Sequence, residues 1–168
     1  MVRSHLEYAG ALWNPYRKGD IKRLEKVQMR ATKLVNSVKH LSYENRLQKL
    51  KLPTLKYRRL RGDMIEVFKI IHGKYDKTCS LELELYQSVH ATRTNSLKLT
   101  NSRCHYDLRK YFFSCRIVNI WNSLPSEVVN APSLNSFKNR LDRFWFNQDI
   151  LYNWHAELTK TGSRSIVS

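Results

Sequence analysis

The chain has 168 residues, 42% of them hydrophobic, enough to bury the core of one domain or of two small ones. No stretch approaches the roughly 18 consecutive apolar residues of a membrane span, and the start, MVRSHLEYAG, lacks the apolar core of a secretory signal; the sequence therefore predicts an intracellular protein without a membrane partner, nucleus or cytoplasm left open. Three cysteines, Cys79, Cys104 and Cys115, are too few for a disulfide scaffold, and 30 Lys and Arg against 14 Asp and Glu give a formal charge of +16, which points to polyanionic partners.

The charge is unevenly placed, because residues 1–62 hold 16 basic and 4 acidic side chains whereas residues 63–101 hold 5 of each. In chain order, Val2 to Trp13 predicts a short helix ended by Asn14-Pro15, since the residue before proline disfavours helical geometry. Next comes Asp20 to Val35, DIKRLEKVQMRATKLV, with Asp20 as its expected N-cap. At about 100° per residue, Ile21, Leu24, Val27, Ala31, Leu34 and Val35 form an apolar stripe expected to face the core. Lys22, Arg23, Lys26, Arg30 and Lys33 gather in an opposing arc. Lys22 and Lys33 lie about 16 Å apart along the axis, so the arc can touch several phosphates of a nucleic-acid backbone.

A third helix is expected from the Ser42 cap toward Leu50, stopped before Pro53. Thr54 caps a fourth, TLKYRRLRGDMIEVFKIIHG, which Gly73 closes, with Tyr57, Leu60, Met64, Val67, Phe68 and Ile71 as its stripe. Lys56, Arg58, Arg59 and Arg61 scatter around that helix and add weaker candidate phosphate contacts. Gly62 inside it costs about 1 kcal/mol relative to Ala, which predicts a close approach there.

From Lys74 the helical period is lost. LELEL at 81–85 and SLKLT at 96–100 alternate like strands, with turn-like VHATRTN between them, so a small β-hairpin is plausible. Helical spacing returns at Tyr111, with Phe113, Ile117, Ile120, Trp121 and Leu124 on one face. Pro125 ends that helix or opens the short Ser126 to Val129, and Ser133 caps a last helix carrying Leu134, Phe137, Leu141, Phe144 and Trp145. Trp13, Trp121 and Trp145 all read as core.

Little in the chain suggests catalysis. His72, His90 and His105 with the three cysteines lack zinc-ligand spacing, and Asp63 with Glu66 reads as helix decoration. No Gly-rich phosphate loop exists among five unclustered glycines, and no cofactor or metal is expected.

The segments LEYAGALWNPY, LEKVQMRATKLV, RRLRGDMIEVFKI and FFSCRIVNIWNSLP, in this order, resemble the C-terminal part of reverse transcriptases from jockey-like non-LTR retrotransposons. The resemblance covers roughly residues 2–146 and implies the thumb and post-thumb region, which grips the template–primer duplex behind the polymerase centre. The aromatic-x-Asp-Asp element of the palm and the endonuclease of that family are absent from this sequence. The expectation is thus a mainly α, thumb-like helical bundle with a small hairpin at most. Residues 1–73 form its basic helical region, 74–107 an irregular segment, 108–148 a C-terminal helical region and 149–168 a flexible tail. Its expected function is non-catalytic binding of RNA or DNA by Lys22, Arg23, Lys26, Arg30, Lys33, Lys56, Arg58, Arg59 and Arg61. The alternative is a helical protein-interaction module with apolar faces around Trp121 and Trp145. Oligomeric state stays open.

Overall fold

Helix boundaries in this protein follow from a few short polar side chains and one glycine. The computed structural model describes residues 10, 12–76, 78, 81–86, 97–101 and 106–159. Among them the chain is mainly α-helical and forms no strand. The helices are α1 (Lys18–Lys33), α2 (Tyr43–Leu50), α3 (Leu55–Ile71), α4 (Asp107–Lys110), α5 (Phe113–Asn122), α6 (Ser126–Val129) and α7 (Leu134–Phe144), followed by a 3₁₀ turn at Asp149–Leu151. Ser42 Oγ accepts from the Asn45 amide, Thr54 Oγ1 from Tyr57 and Ser133 Oγ from Ser136, each satisfying a first-turn N–H that has no helical partner. Gly73, at φ +60°, closes α3, and the Lys74 amide reaches back to the Lys69 carbonyl. The expected cap at Asp20 is displaced: α1 begins at Lys18 after an extended Arg17, and Asp20 lies in the first turn, where its charge suits the helix dipole. The helix expected from Val2 to Trp13 falls mostly outside the described residues, and Trp13, read as core, is substantially exposed.

The chain divides into two compact units, Met1–Gly62 with Asn147–Leu158, and Asp63–Phe146 with Thr159–Ser168. The first contains α1, α2, the start of α3 and the 3₁₀ turn, around buried Val38, Leu47, Leu55, Tyr57 and Ile150. Of the flexible tail expected at 149–168, residues 149–158 are instead held in this unit. Thr54 explains it: besides capping α3, its hydroxyl donates to the Ile150 carbonyl at 2.7 Å and its amide to the Leu151 carbonyl at 2.9 Å. Lys56 adds a bond to the Ala156 carbonyl at 2.8 Å. Residues 160–168 lie outside the described residues.

The second unit is built on aromatic rings. Phe68 stacks on Phe137 with centroids 4.4 Å apart and on His72 at 3.9 Å, and Trp121 packs against Phe137 at 6.0 Å. Trp121 and Trp145 are buried, while Phe144 and Phe146, on either side of Trp145, are exposed. Asp63 does not decorate the helix surface. Its carboxylate is buried and takes both arms of Arg116, Nε on Oδ2 and Nη2 on Oδ1, each at 2.9 Å. Among the described residues the expected hairpin shows one antiparallel bridge, between Leu85 and Leu99, flanked by Tyr86 N–H to Lys98 O and Thr100 N–H to Glu84 O. The other edge of residues 97–99 is held by α5. Asn122 bonds both backbone groups of Leu99, at 2.8 and 2.9 Å, and Trp121 Nε1 donates to the Leu97 carbonyl. The turn-like VHATRTN lies outside the described residues.

Gly62 also departs from expectation. It is exposed, its φ is not positive, and a Cβ built on it meets nothing within 4 Å, so no close approach requires it. Gly62→Ala should therefore raise stability by about 1 kcal/mol, through the helix propensity gained and the unfolded-state entropy removed. Urea unfolding with an unchanged slope and a higher midpoint is the expected readout; a lower midpoint would show that α3 needs glycine there.

Candidate nucleic-acid interface

Helix α1 is oriented by hydrogen bonds, because the side it buries is polar. Glu25, Gln28 and Thr32 are its buried residues. Glu25 Oε1 accepts from the Tyr43 hydroxyl of α2 at 2.5 Å and from the Leu55 amide, the first of α3, at 3.3 Å. A carboxylate at that helix start meets amides that have no intrahelical acceptor. Gln28 Nε2 donates to the Tyr43 hydroxyl and to the Pro53 carbonyl, both at 3.1 Å. Thr32 Oγ1 accepts from Arg46 Nε at 3.3 Å, while Arg46 Nη1 donates to the Leu41 carbonyl at 2.8 Å. Three consecutive turns of α1 are thus fixed to α2 and to the residues that open α3.

That polar docking turns the apolar stripe away from the interior, which corrects the sequence expectation. Ile21 and Leu24 are half-buried, but Val27, Ala31 and Val35 are exposed and Leu34 is 83% exposed. On a helical projection the buried sector lies between Gln28 and Glu25, about 80° from the middle of the apolar stripe. The opposite, cationic arc is nevertheless where the sequence put it. Lys22, Arg23, Lys26, Arg30 and Lys33 are all exposed on one side of α1. Among the described residues no carboxylate pairs with Lys22, Lys26, Arg30 or Lys33, and the Arg23–Asp20 contact of 3.3 Å is solvent-exposed and contributes little.

The basic residues of α3 are placed differently. Lys56, its side chain 12% exposed, is taken up by Glu157 at 2.6 Å and the Ala156 carbonyl. Arg59 is buried, and its charge acts on Glu25. Arg58 and Arg61 are half-buried. Of the nine candidate phosphate contacts, the structure gathers the five of α1 on an open face and commits Lys56 and Arg59 to the protein itself. Glu25, Tyr43, Gln28 and Arg46, which set that face, carry no sequence signature, since polar residues in a helix ordinarily read as its wet side.

The carboxylate pair considered for chemistry is also committed. Asp63 holds Arg116, while Glu66 accepts from Tyr75 at 2.5 Å and pairs with Lys69 at 3.3 Å. Among the described residues no three His, Cys, Asp or Glu side chains converge as a metal site requires; Cys79, Cys104, His90 and His105 lie outside them. No described helix is long and apolar enough to cross a membrane. Comparison with protein-family models, with curated proteins and with solved structures finds no match to this chain.

Burial pushes the Glu25 carboxyl above its ordinary value, outweighing the Tyr43 hydroxyl, the Leu55 and Lys56 amides and the Arg59 charge, which all favour the anion. The Tyr43 phenol is pushed up as well, first by burial and then by Glu25, so it remains a donor. The folded state therefore holds the Glu25 proton more tightly than the unfolded chain does. Its contribution is full below the unfolded value near 4.5 and is lost as pH rises through the higher folded value. Glu25→Gln keeps an acceptor for Tyr43 and Leu55 without titrating. The stability difference between wild type and Glu25→Gln, followed by urea unfolding from pH 4 upward, should move against wild type as pH rises. A difference that stays flat over this range would contradict the burial argument.

Proposed function

We propose that this chain binds RNA or DNA, with little sequence preference, through the cationic face of α1. The observation that carries the reading is that face itself: five exposed cations on one side of a helix whose opposite side is fixed by buried hydrogen bonds. Steps of four, four and three residues from Lys22 to Lys33 give rises of about 6, 6 and 4.5 Å, a spacing able to follow a phosphate backbone. Three of the five are lysines, point charges suited to phosphate oxygens, and no exposed Asn or Gln lies among them as a base reader, so backbone contacts supply the affinity. The resemblance to non-LTR reverse transcriptases supports the same reading and gives it a context. The chain is a thumb and post-thumb piece that holds the template–primer duplex and has no catalytic role of its own. The engagement of Asp63 by Arg116 and of Glu66 by Lys69 and Tyr75 is in keeping with a non-catalytic role.

The test is anisotropy of a labelled duplex titrated at several salt concentrations. Neutralising four to five phosphates gives a slope of log affinity against log salt of about −4. Replacing Lys22, Lys26, Arg30 and Lys33 by Gln should leave the melting curve close to wild type and bring that slope nearer zero by about 3 to 4. Removing the same charge at Arg109, Lys110, Lys160 and Arg164 should change the slope far less. Equal losses from the two variants would assign binding to net charge and overturn the role of the α1 face.

A further inference from the structure

The second unit has a cleft that the nucleic-acid reading leaves unused. α6 and α7 pack together, and Pro125, Glu127, Val128, Arg140, Arg143 and Phe144 line a cavity of about 440 Å³ between them. That size falls within the range of sites that take a small ligand or a few side chains of a partner. Its lining is of two kinds. Pro125, Val128 and Phe144 are apolar, and Phe144 is partly exposed. Arg140 and Arg143, three residues apart on α7, are neighbours on one helix face.

Arg140 is held in place. Its Nη1 donates to the Glu127 carbonyl at 2.5 Å, an oxygen of the four-residue helix α6 that would otherwise lack a helical partner. One bond of five leaves the guanidinium able to receive an anion with little further ordering. Among the described residues no carboxylate pairs with Arg140 or Arg143, and Glu127, the acidic side chain of the lining, is exposed.

We infer that this cleft docks a short acidic segment of a partner protein, with an apolar side chain against Pro125, Val128 and Phe144 and flanking carboxylates on Arg140 and Arg143. Charge complementarity selects the occupant: two unneutralised arginine forks match carboxylates in bidentate geometry. The apolar lining separates a peptide from a phosphate backbone, which brings no side chain to fill it. The site shares no residue with the cationic face of α1, so either reading can fail without the other.

The probe is a short fluorescent peptide in which Asp and Glu flank one Leu-Phe pair. Saturable binding to the whole chain is expected, weakened about tenfold by Arg143→Gln, the loss of roughly one charge-assisted hydrogen bond. Phe144→Ser should weaken it comparably, and Arg143→Gln, at an exposed site, should melt with wild type. The α1 variant with Gln at 22, 26, 30 and 33 should bind the peptide within about twofold of wild type. An acidic peptide without the Leu-Phe pair should bind more weakly. Equal binding of that control, equal loss in the α1 variant, or no saturable binding would each overturn the proposal.

Discussion

The carboxylate of Glu25 is the constraint on which the first unit turns. It meets the Tyr43 hydroxyl of α2 and the opening amide of α3 from a position in the middle of α1, so one side chain fixes the relation of three helices. Burying a charged group is expensive, and the raised proton affinity of Glu25 is the direct expression of that cost. The fold offsets it with the donors of Tyr43, Leu55 and Lys56 and with the nearby charge of Arg59. Removing this acceptor would leave the Tyr43 hydroxyl and a helix-start amide unsatisfied in the interior, the costly side of the hydrogen-bond asymmetry. A polar seam of this kind is also directional in a way an apolar seam is not. Gln28, Thr32 and Arg46 bond only at one rotation of α1, and that rotation is what leaves Lys22, Lys26, Arg30 and Lys33 in solvent.

The second unit is organised by the opposite chemistry. Phe68, His72, Phe137 and Trp121 form a run of contacting rings, and the buried Asp63–Arg116 pair satisfies both carboxylate oxygens through a planar fork. Arg116 gains further from the Tyr111 carbonyl and from the Phe113 ring, 5.3 Å from its guanidinium carbon. Breaking such a pair from one side typically costs about 3–5 kcal/mol, because the charge left behind is buried without its partner. Asp63 is thereby a structural residue. A substitution there aimed at catalysis would report on folding first.

Local capping chemistry and helical periodicity made much of this fold legible. Ser42, Thr54, Ser133 and Gly73 mark helix ends where the sequence places them, and the stripes of α3, α5 and α7 bury Met64, Val67, Phe68, Ile117, Trp121, Phe137 and Leu141. Periodicity failed where burial is polar. In α1 it finds an apolar stripe, but the interior is satisfied by Glu25, Gln28 and Thr32, whose partners lie 14 to 30 residues away. The same blindness to distance hid residues 149–158. Ile150 looks unpatterned in the sequence and is buried where Thr54, 96 residues earlier, binds its carbonyl. The strand-like alternation at 81–85 and 96–100 does bring Leu85 opposite Leu99, but it gives no sign that the other edge of Leu97 and Leu99 is taken by Asn122 and Trp121, side chains of a helix.

Net charge alone is a poor guide to a polyanion site, and the arginines show why. Arg46, Arg59 and Arg116 serve the interior, each with hydrogen bonds or charges that the fold itself provides, and Lys56 closes the C-terminal segment onto α3. A charge neutralised inside the protein attracts no phosphate at a distance, and a guanidinium already bonded must lose those bonds to make new ones. What remains for an external anion is the subset with solvent on one side and no carboxylate within reach. In the first unit that subset includes the arc of α1 apart from Arg23, mostly lysine, whose compact, well-hydrated charges suit mobile contacts to many phosphates. In the second it includes Arg140 and Arg143, whose planar forks beside an apolar cleft suit one defined partner. The two surfaces differ less in charge than in the geometry of the groups that bear it: separate cations spaced along a helix in one, two planar forks beside a cleft in the other.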